Sequence, residues 1–288
     1  MAKDIPDSFR IFQSNLEVSD LLYSRISSRQ LLVRGALEEE MHVLHTFLSG
    51  SYSRKTMIAP LHESDIDIFA VLDPSHYSEN GQADLLNQIK KVLHKTSVKA
   101  PQIHRNGHAV NLAFSDFTAN VIPAFEKDGG GYIFPDSIEN KWISTDPRSH
   151  VDLIADADSR HNGNLIPLIK MVKGWNRIAN RSLRPFHLEV MAYQLFKNMA
   201  IKSYPAALLY FFGEGRHYIR KQNLDPAGYG GDVGNYIKTR QRIEEAEAGF
   251  ETAYGRAYRA VYYWEKAHAE SSINEWRKIF GNYFPAYG

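Results

Sequence analysis

Two aspartates, Asp65 and Asp67, stand one residue apart in an otherwise apolar run that ends at Leu72. A strand points residues two apart toward the same face, so both carboxylates are expected on one side, about 7 Å apart along the backbone. The interleaved Ile66 and Ile68 would bury the opposite face. Neighbouring carboxylates repel and are costly to bury unpaired, so the pair needs a cation. An all-oxygen site of this kind favours Mg²⁺, Mn²⁺ or Ca²⁺.

A Gly-Ser turn precedes this strand and indicates what the cation is for. Gly50 lets the backbone approach a ligand closely, and Ser51 offers a hydroxyl and an N–H. If the next residues turn into a short helix, its free N–H groups suit a phosphate. Paired aspartates alone are common in solvated strands. Together with the turn and the loop that carries Arg54 and Thr56, they predict transfer of a nucleotidyl group.

The stretch GSYSRKTMIAPLHESDIDIFAVL (residues 50–72) resembles the signature of the polymerase-β-like nucleotidyltransferases. Within that superfamily it is most similar to the bacterial cGAS/DncV-like nucleotidyltransferases, which make cyclic oligonucleotide signals in anti-phage defence. The C-terminal segments LDPAGYGGDVGNYI (224–237) and INEWRKIFGNYFP (273–285) resemble the CdnE-like cyclic dinucleotide synthase clade, which can accept pyrimidines.

The resemblance implies an α/β + α fold in two lobes. Residues 1–160 would form the nucleotidyltransferase lobe, with a mixed β-sheet and a long N-terminal spine helix. Residues 161–288 would form a helical nucleotide-binding lobe. Substrates would lie between the two lobes.

In the family, a third metal-binding carboxylate precedes a Val-Val-Pro-Ala-Phe-like run, and the matching residue here is Asn120. An amide can ligate a metal through its oxygen, but it brings no charge and cannot act as a base. Asp116 lies four residues upstream, past a turn, and is a poor substitute. Three interpretations are open: an inactivated form, a naturally weak enzyme, or a different register. An inactivating Asp→Asn change is the working hypothesis.

The resemblance also assigns residues of the helical lobe. Lys173, two residues before a Trp-Asn pair, is implied to contact the triphosphate, although a solvated basic face is the ordinary reading of its spacing. Asn162 and Asn164 are candidates for reading the uracil edge, because an amide offers a donor and an acceptor together. The competing interpretation makes Asn162 part of a turn and Asn164 a helix cap. His187 is predicted to be structural.

The expected reaction is attack of a ribose hydroxyl on the α-phosphate of a nucleoside triphosphate. Two Mg²⁺ (or Mn²⁺) ions at Asp65, Asp67 and Asn120 would assist it, and Gly50, Ser51 and Lys173 would hold the phosphates. The product would be a cyclic di- or oligonucleotide that includes a pyrimidine, such as cyclic UMP-AMP from ATP and UTP. It would reach a downstream effector without direct contact between the proteins. The alternatives are an RNA- or nucleotide-tagging nucleotidyltransferase and a catalytically dead nucleotide-binding module.

Composition excludes several other classes. A net charge of +1 over 288 residues argues against binding long nucleic acid by bulk charge. The absence of cysteine excludes disulfides, zinc–thiolate sites and thiol nucleophiles. The N-terminus lacks the apolar core of a signal peptide, and no stretch approaches the roughly 20 apolar residues of a spanning helix. We expect a cytoplasmic monomer that does not bind membranes.

Hydrophobic periodicity predicts the elements that position these residues. An apolar stripe indicates one long helix over residues 17–47, and a second helix is expected over 84–95. Residues 108–115 and 118–125 read as strands, with Pro123 ending the pairing. From about residue 164 the chain is predicted to be helical, with one helix of about thirty residues near the C-terminus.

Overall fold

Strand pairing around residues 65–72 organises one half of the chain. The computed structural model describes residues 2–61, 64–96, 100, 102–179, 182–229, 231–237 and 239–288. Contacts divide the chain into two compact units. The first, Val18–Val151, we term the sheet unit; the second, Met1–Glu17 with Asp152–Gly288, we term the helical unit. The predicted lobe boundary near residue 160 differs from this division, which assigns the first helix to the helical unit, and as a functional boundary it stays a prediction.

The helices and strands follow in chain order. The helices are α1 (Ile5–Leu16), α2 (Asp20–Glu38), α3 (Gly50–Ser53), α4 (Gln82–Lys95), α5 (Pro147–Arg160), α6 (Leu165–Ile178), α7 (Pro185–Phe196), α8 (Tyr204–Tyr218), α9 (Arg240–Glu265) and α10 (Ala269–Phe280). The strands are β1 (Val43–Leu48), β2 (Asp65–Leu72), β3 (Gln102–Arg105), β4 (Val110–Ala113), β5 (Thr118–Glu126), β6 (Tyr132–Asp136) and β7 (Lys141–Thr145).

The strands form one mixed sheet in the order β1-β2-β5-β4-β3, with β6 paired to the end of β5 and β7 paired to β6. The strands β2 and β5 run parallel, and their register sets Asp65 beside Thr118 and Asp67 beside Asn120. All other pairings are antiparallel among the described strands. The mixed α/β sheet expected from the resemblance is confirmed.

Alternation along β2 separates the core from the site. Ile66, Ile68, Ala70 and Leu72 lie in the main core cluster of the sheet unit, which also contains apolar residues of α2 and α4. Full burial of each large aliphatic side chain stabilises the fold by about 1.5–3 kcal/mol. The opposite face carries the two aspartates and then Phe69, which belongs to a second, smaller cluster. The predicted division of the two faces is confirmed.

The helix predicted over residues 17–47 is shorter than expected. A long helix ahead of Gly50 is confirmed as α2, but it ends at Glu38, and residues 43–48 form β1. The segment contains Val43, Thr46 and Phe47, residue types that favour strands, although its apolar residues also continue the helical stripe. Pairing decides the outcome, because Phe47 lies opposite Phe69 with ring centroids 5.1 Å apart and an interplanar angle of 19°.

Pro123 does not end its strand, contrary to the prediction. The strand β5 continues to Glu126, and its pairing with β2 runs through Ala124. Pairing with β4 stops at Val121, and pairing with β6 starts at Phe125. Pro123 therefore lies in a gap between two antiparallel partners, where a missing N–H is tolerated.

An aromatic cluster holds α1 in the helical unit. Phe12 is fully buried, and its ring centroid lies 4.4 Å from that of Phe280. Phe9 packs edge-on against Trp276, with 5.2 Å between the ring centroids.

The predicted long C-terminal helix is confirmed as α9, with 26 residues.

His187 lies in α7 and forms hydrogen bonds with the segment that follows α8. It is 1% exposed, and its Nε2 accepts a hydrogen bond from Asn223 Nδ2 at 2.9 Å. Because Nε2 accepts, the proton of the neutral ring is on Nδ1, which donates to the Tyr236 hydroxyl at 3.0 Å. Burial lowers the pKa of His187 from 6.5 to about 4, and Asp232 opposes that shift. The predicted structural role of His187 is confirmed.

This buried imidazole predicts a loss of stability in acid. The unfolded chain binds the proton near pH 6.5 and the folded chain only near pH 4. The contribution of His187 to the free energy of unfolding is therefore fully present above pH 6.5 and is lost as the pH falls toward 4. The full difference is about 3 kcal/mol. Urea unfolding at several pH values should show this slope in the native protein and a reduced slope in His187→Gln. Parallel curves for the two proteins would contradict it.

Candidate active site

A row of hydrogen-bonded side chains crosses three strands on the site face of the sheet. Asn120 on β5 donates from Nδ2 to Asp67 Oδ1 on β2 at 2.9 Å. Asn111 on β4 in turn donates from Nδ2 to Asn120 Oδ1. Each pair is directly opposed in register, which points the three side chains to the same side. Asn120 therefore lies beside Asp67, at the position expected from the resemblance.

The two aspartates share that face but differ in environment. Asp65 is exposed at the start of β2, whereas Asp67 is half-buried. Desolvation raises the pKa of Asp65. It also raises the pKa of Asp67, where the hydrogen bond from Asn120 and the charge of Arg54 act in the opposite direction and the charge of Asp65 adds to the increase. A cation beside the pair would offset the desolvation of both carboxylates.

Gly50 makes the closest approach to this pair. Its φ is +66°, and a Cβ built on it would lie 2.3 Å from Asp67 Oδ2. The neighbouring Ser49 N–H donates to the Asp67 carbonyl oxygen at 2.8 Å. A side chain at this position would displace the carboxylate, and the positive φ also favours glycine.

Ser51 belongs to the same short turn. The four-residue helix α3 places Ser51 next to Gly50, and the Ser51 carbonyl oxygen accepts hydrogen bonds from the N–H groups of Thr56 and Met57. A short helix is present, although it begins at Gly50 and includes Ser51 rather than following it. The phosphate-binding role of Gly50 and Ser51 stays a prediction.

The donor set fits a hard divalent cation, with one charge fewer than the family pattern. Two carboxylate oxygens and an amide oxygen are ligands that Mg²⁺ accepts. Within the described ranges of the chain, no group of three or more His, Cys, Asp or Glu side chains is placed to hold a metal. Asp116 is directed toward α2, where Arg25 Nη1 lies 3.9 Å from its Oδ2. The assignment of Asn120 as a neutral third metal ligand stays a prediction.

In the helical unit, Lys173 is buried in an ion pair. Its Nζ lies 2.6 Å from Glu189 Oε1, and the side chains are 5% and 1% exposed. The solvated basic face, the alternative for this segment, is therefore wrong at Lys173. Sequence reasoning missed Glu189, although an acid within the apolar run of α7 signals a paired charge. The triphosphate-binding role of Lys173 stays a prediction.

The two candidate base-reading residues lie in and just after the turn between α5 and α6. Asn162 is exposed and has a positive φ of 53°, which agrees with the turn interpretation. Asn164 precedes α6, but its side chain forms no cap, and Asp158 Oδ1 accepts from Ile166 N instead. Asn164 therefore occupies the N-cap position, as the cap interpretation predicts, but it does so without a capping hydrogen bond from its side chain.

Asn164 uses its amide within the helical unit. Its Nδ2 donates to the His161 carbonyl oxygen at 3.0 Å, and its Oδ1 accepts from the Tyr204 hydroxyl at 3.0 Å. Burial raises the pKa of Tyr204 to about 12, with a contribution from Asp158, so the phenol remains a neutral donor. Base reading by Asn162 or Asn164 stays a prediction.

Comparisons with known proteins agree with this geometry. The family model of the Second Messenger Oligonucleotide or Dinucleotide Synthetase domain, SMODS, matches residues 4–158. A cyclic AMP-AMP-AMP synthase from an Acinetobacter species is 26% identical over 290 residues, which cover 94% of this chain and 83% of that protein.

Solved structures share the fold along nearly the whole chain. Escherichia coli MS115-1 CdnC with ATP matches with a TM-score of 0.78 at 17% identity, covering 98% of this chain and 99% of that one. Rhodothermus marinus CdnE c-UMP-AMP synthase with Apcpp and Upnpp matches with a TM-score of 0.59 at 13% identity, covering 87% and 97%. The CdnE-like clade therefore stays a prediction, because its representative is the less similar of the two folds.

The fold and the family model together match the fold of the polymerase-β-like nucleotidyltransferases. Because the SMODS family model covers more than half of the sequence, the chain belongs to that family of cyclic oligonucleotide synthases. Family membership implies nucleoside triphosphate substrates and a divalent metal. None of the helices that the structure describes is long and apolar enough to cross a membrane.

The contact between Gly50 and Asp67 predicts a selective effect of Gly50→Ala. The added methyl group would displace the carboxylate, so Mn²⁺ affinity measured by calorimetry should fall strongly. Gly129→Ala is the matched control, since Gly129 also has a positive φ of +86° but has no atom within 4 Å of its built Cβ. Both variants should lose roughly 1–2 kcal/mol of stability from the backbone conformation. Equal Mn²⁺ affinity in the two variants would contradict the proposed contact.

Proposed function

We propose that this chain joins nucleoside triphosphates into a cyclic di- or oligonucleotide. The observation that carries the proposal is the pair Asp65 and Asp67 on one strand face, with Gly50 directly against Asp67. The signal would reach a separate effector through the product. Anti-phage signalling, as in the family that the sequence resembles, is the expected context.

The residues divide the task by their chemistry. Mg²⁺ or Mn²⁺, when bound, would supply Lewis-acid activation of the attacking ribose hydroxyl and neutralise the leaving pyrophosphate. Asp65 and Asp67 would hold the cation, with the Asn120 oxygen as a neutral third donor. The backbone of Gly50 and Ser51 would approach the phosphates, and Lys173 would face the β- and γ-phosphates.

The neutral third position bears directly on turnover. An amide has no basic lone pair to take the proton from the attacking hydroxyl. At this site the proton would pass to Asp65, Asp67 or solvent. We therefore expect slow chemistry with nucleotide binding retained, since a lost base or metal ligand often removes ~10²–10⁴-fold in rate.

The choice of base is the finer part of the proposal. We propose ATP and UTP as substrates, with Asn162 the better candidate for the uracil edge because both ends of the Asn164 amide are already bonded. An all-adenine product is the competing expectation, since the Acinetobacter relative is named a cyclic AMP-AMP-AMP synthase.

A second candidate function is nucleotide binding without catalysis. The hydrogen bond from Asn120 to Asp67 favours it, because the amide satisfies a carboxylate that a third acid would repel. This module would respond to nucleotide in a thermal shift but yield no product.

An aspartate introduced at position 120 distinguishes the synthase from the nucleotide-binding module. The native protein, Asn120→Asp and Asp65→Ala/Asp67→Ala should be incubated with all four nucleoside triphosphates and Mg²⁺ or Mn²⁺, and the products analysed by mass spectrometry. We expect Asn120→Asp to form cyclic product ~10²–10⁴ times faster than the native protein. The double variant should form none. No product from any protein, with nucleotide-induced stabilisation retained, would establish the binding module.

The buried pair of Lys173 and Glu189 allows a test of the phosphate contact. Lys173→Met should destabilise the fold by about 3–5 kcal/mol, because Glu189 loses this cation, and should weaken ATP more than AMP. The matched control is Lys173→Met/Glu189→Met, which removes both charges. Recovery of stability without recovery of ATP affinity would support phosphate binding. Recovery of both would reduce Lys173 to a structural residue.

A further inference from the structure

Asn111 is the one member of the polar row that the proposed chemistry does not use. It is 8% exposed, and it lies opposite Asn120 in the antiparallel pairing of β4 with β5. Its Nδ2 donates to Asn120 Oδ1, while its own Oδ1 is buried and has no hydrogen-bond partner among the described residues. A buried carbonyl oxygen without a donor is destabilising, so this arrangement of the amide is not fully satisfied.

The donation from Asn111 fixes which way the Asn120 amide faces. With its oxygen bonded to Asn111, Asn120 can present only its NH₂ group to Asp67. That direction supplies Asp67 with a donor in the absence of a cation. It also directs the Asn120 oxygen, the atom that can ligate a metal, away from Asp67.

We propose that Asn111 is a positioning residue that sets the direction of the Asn120 amide, and that a divalent cation enters by a coupled turn of both amides. After the turn, the Asn120 oxygen faces the carboxylates. Its NH₂ group then donates to the Asn111 oxygen, which lacks a partner in the present arrangement. The inference rests on the proposed metal site.

The two amides must turn together for a simple reason. Turning Asn120 alone would set its NH₂ group against the NH₂ group of Asn111, two donors facing each other in a buried place. Turning both keeps one N–H···O bond between them. A carboxylate at position 120 has two equivalent oxygens, so it accepts from Asn111 in either direction and needs no turn.

Asn111→Asp tests the direction of the Asn120 amide. A carboxylate at position 111 can only accept a hydrogen bond, so it would bond to the Asn120 NH₂ group and leave the Asn120 oxygen facing Asp65 and Asp67. The added charge also attracts a cation, and the Asn120→Ala background measures that effect alone. We expect Mn²⁺ affinity, measured by electron paramagnetic resonance without nucleotide, to rise roughly three- to tenfold more in the native background than in the Asn120→Ala background, the equivalent of one net hydrogen bond. A purely structural role of Asn111 would shift both backgrounds alike.

The outcomes separate the inference from the proposed function. Mn²⁺ binding that Asn111→Asp leaves unchanged, or changes equally in the native and Asn120→Ala backgrounds, overturns the role of Asn111 and leaves the synthase proposal standing. Failure of the native and Asn120→Asp proteins to bind Mn²⁺ at all overturns the metal site, and the inference with it. Circular dichroism and melting temperature confirm the fold. Should Asn111→Asp not fold, Asn111→Glu places the same acceptor-only group on a side chain one methylene longer and carries the same expected sign.

Discussion

The parallel pairing of β2 with β5 is the constraint on which the site depends. It brings Asp67 beside Asn120, two residues 53 positions apart in sequence, through the register of the two strands. Once that register is set, the site face carries a partly desolvated carboxylate that requires either a cation or a donor. Here a neutral amide is the donor. The chain can therefore keep its site intact in the absence of metal.

The amide also separates two properties that an acid at this position would combine. A third carboxylate adds affinity for a divalent ion and a base for the attacking hydroxyl, but it adds repulsion when no ion is bound. In the proposed site, Asn120 would remove that repulsion and keep one oxygen as a ligand. With asparagine in place of an acid, the orientation of the side-chain amide matters more, because its oxygen can bind a cation and its NH₂ group cannot.

Sequence reasoning succeeded where periodicity or local chemistry is decisive. The shared face of Asp65 and Asp67 follows from the period of a strand, and the structural role of His187 follows from the lack of an acid–base partner. It failed where tertiary pairing chooses between local options. Residues 43–48 fit a helix and a strand equally, and only the partner β2 selects the strand. The contacts of Asn111 and Glu189 were not predicted, because nothing in their own segments indicates which residue each one contacts.

The two faces of β2 have a consequence for how this protein tolerates change. Ile66 and Ile68 are fixed in the core, and Asp65 and Asp67 alternate with them on the same eight-residue strand. A substitution in the core that moves this strand by a fraction of an ångström moves the carboxylates by the same amount. Positional accuracy at the proposed metal site would thus be inherited from hydrophobic packing on the reverse side of the sheet. For a chain with the proposed activity, the catalytic rate would be a more sensitive gauge of interior packing than the melting temperature is.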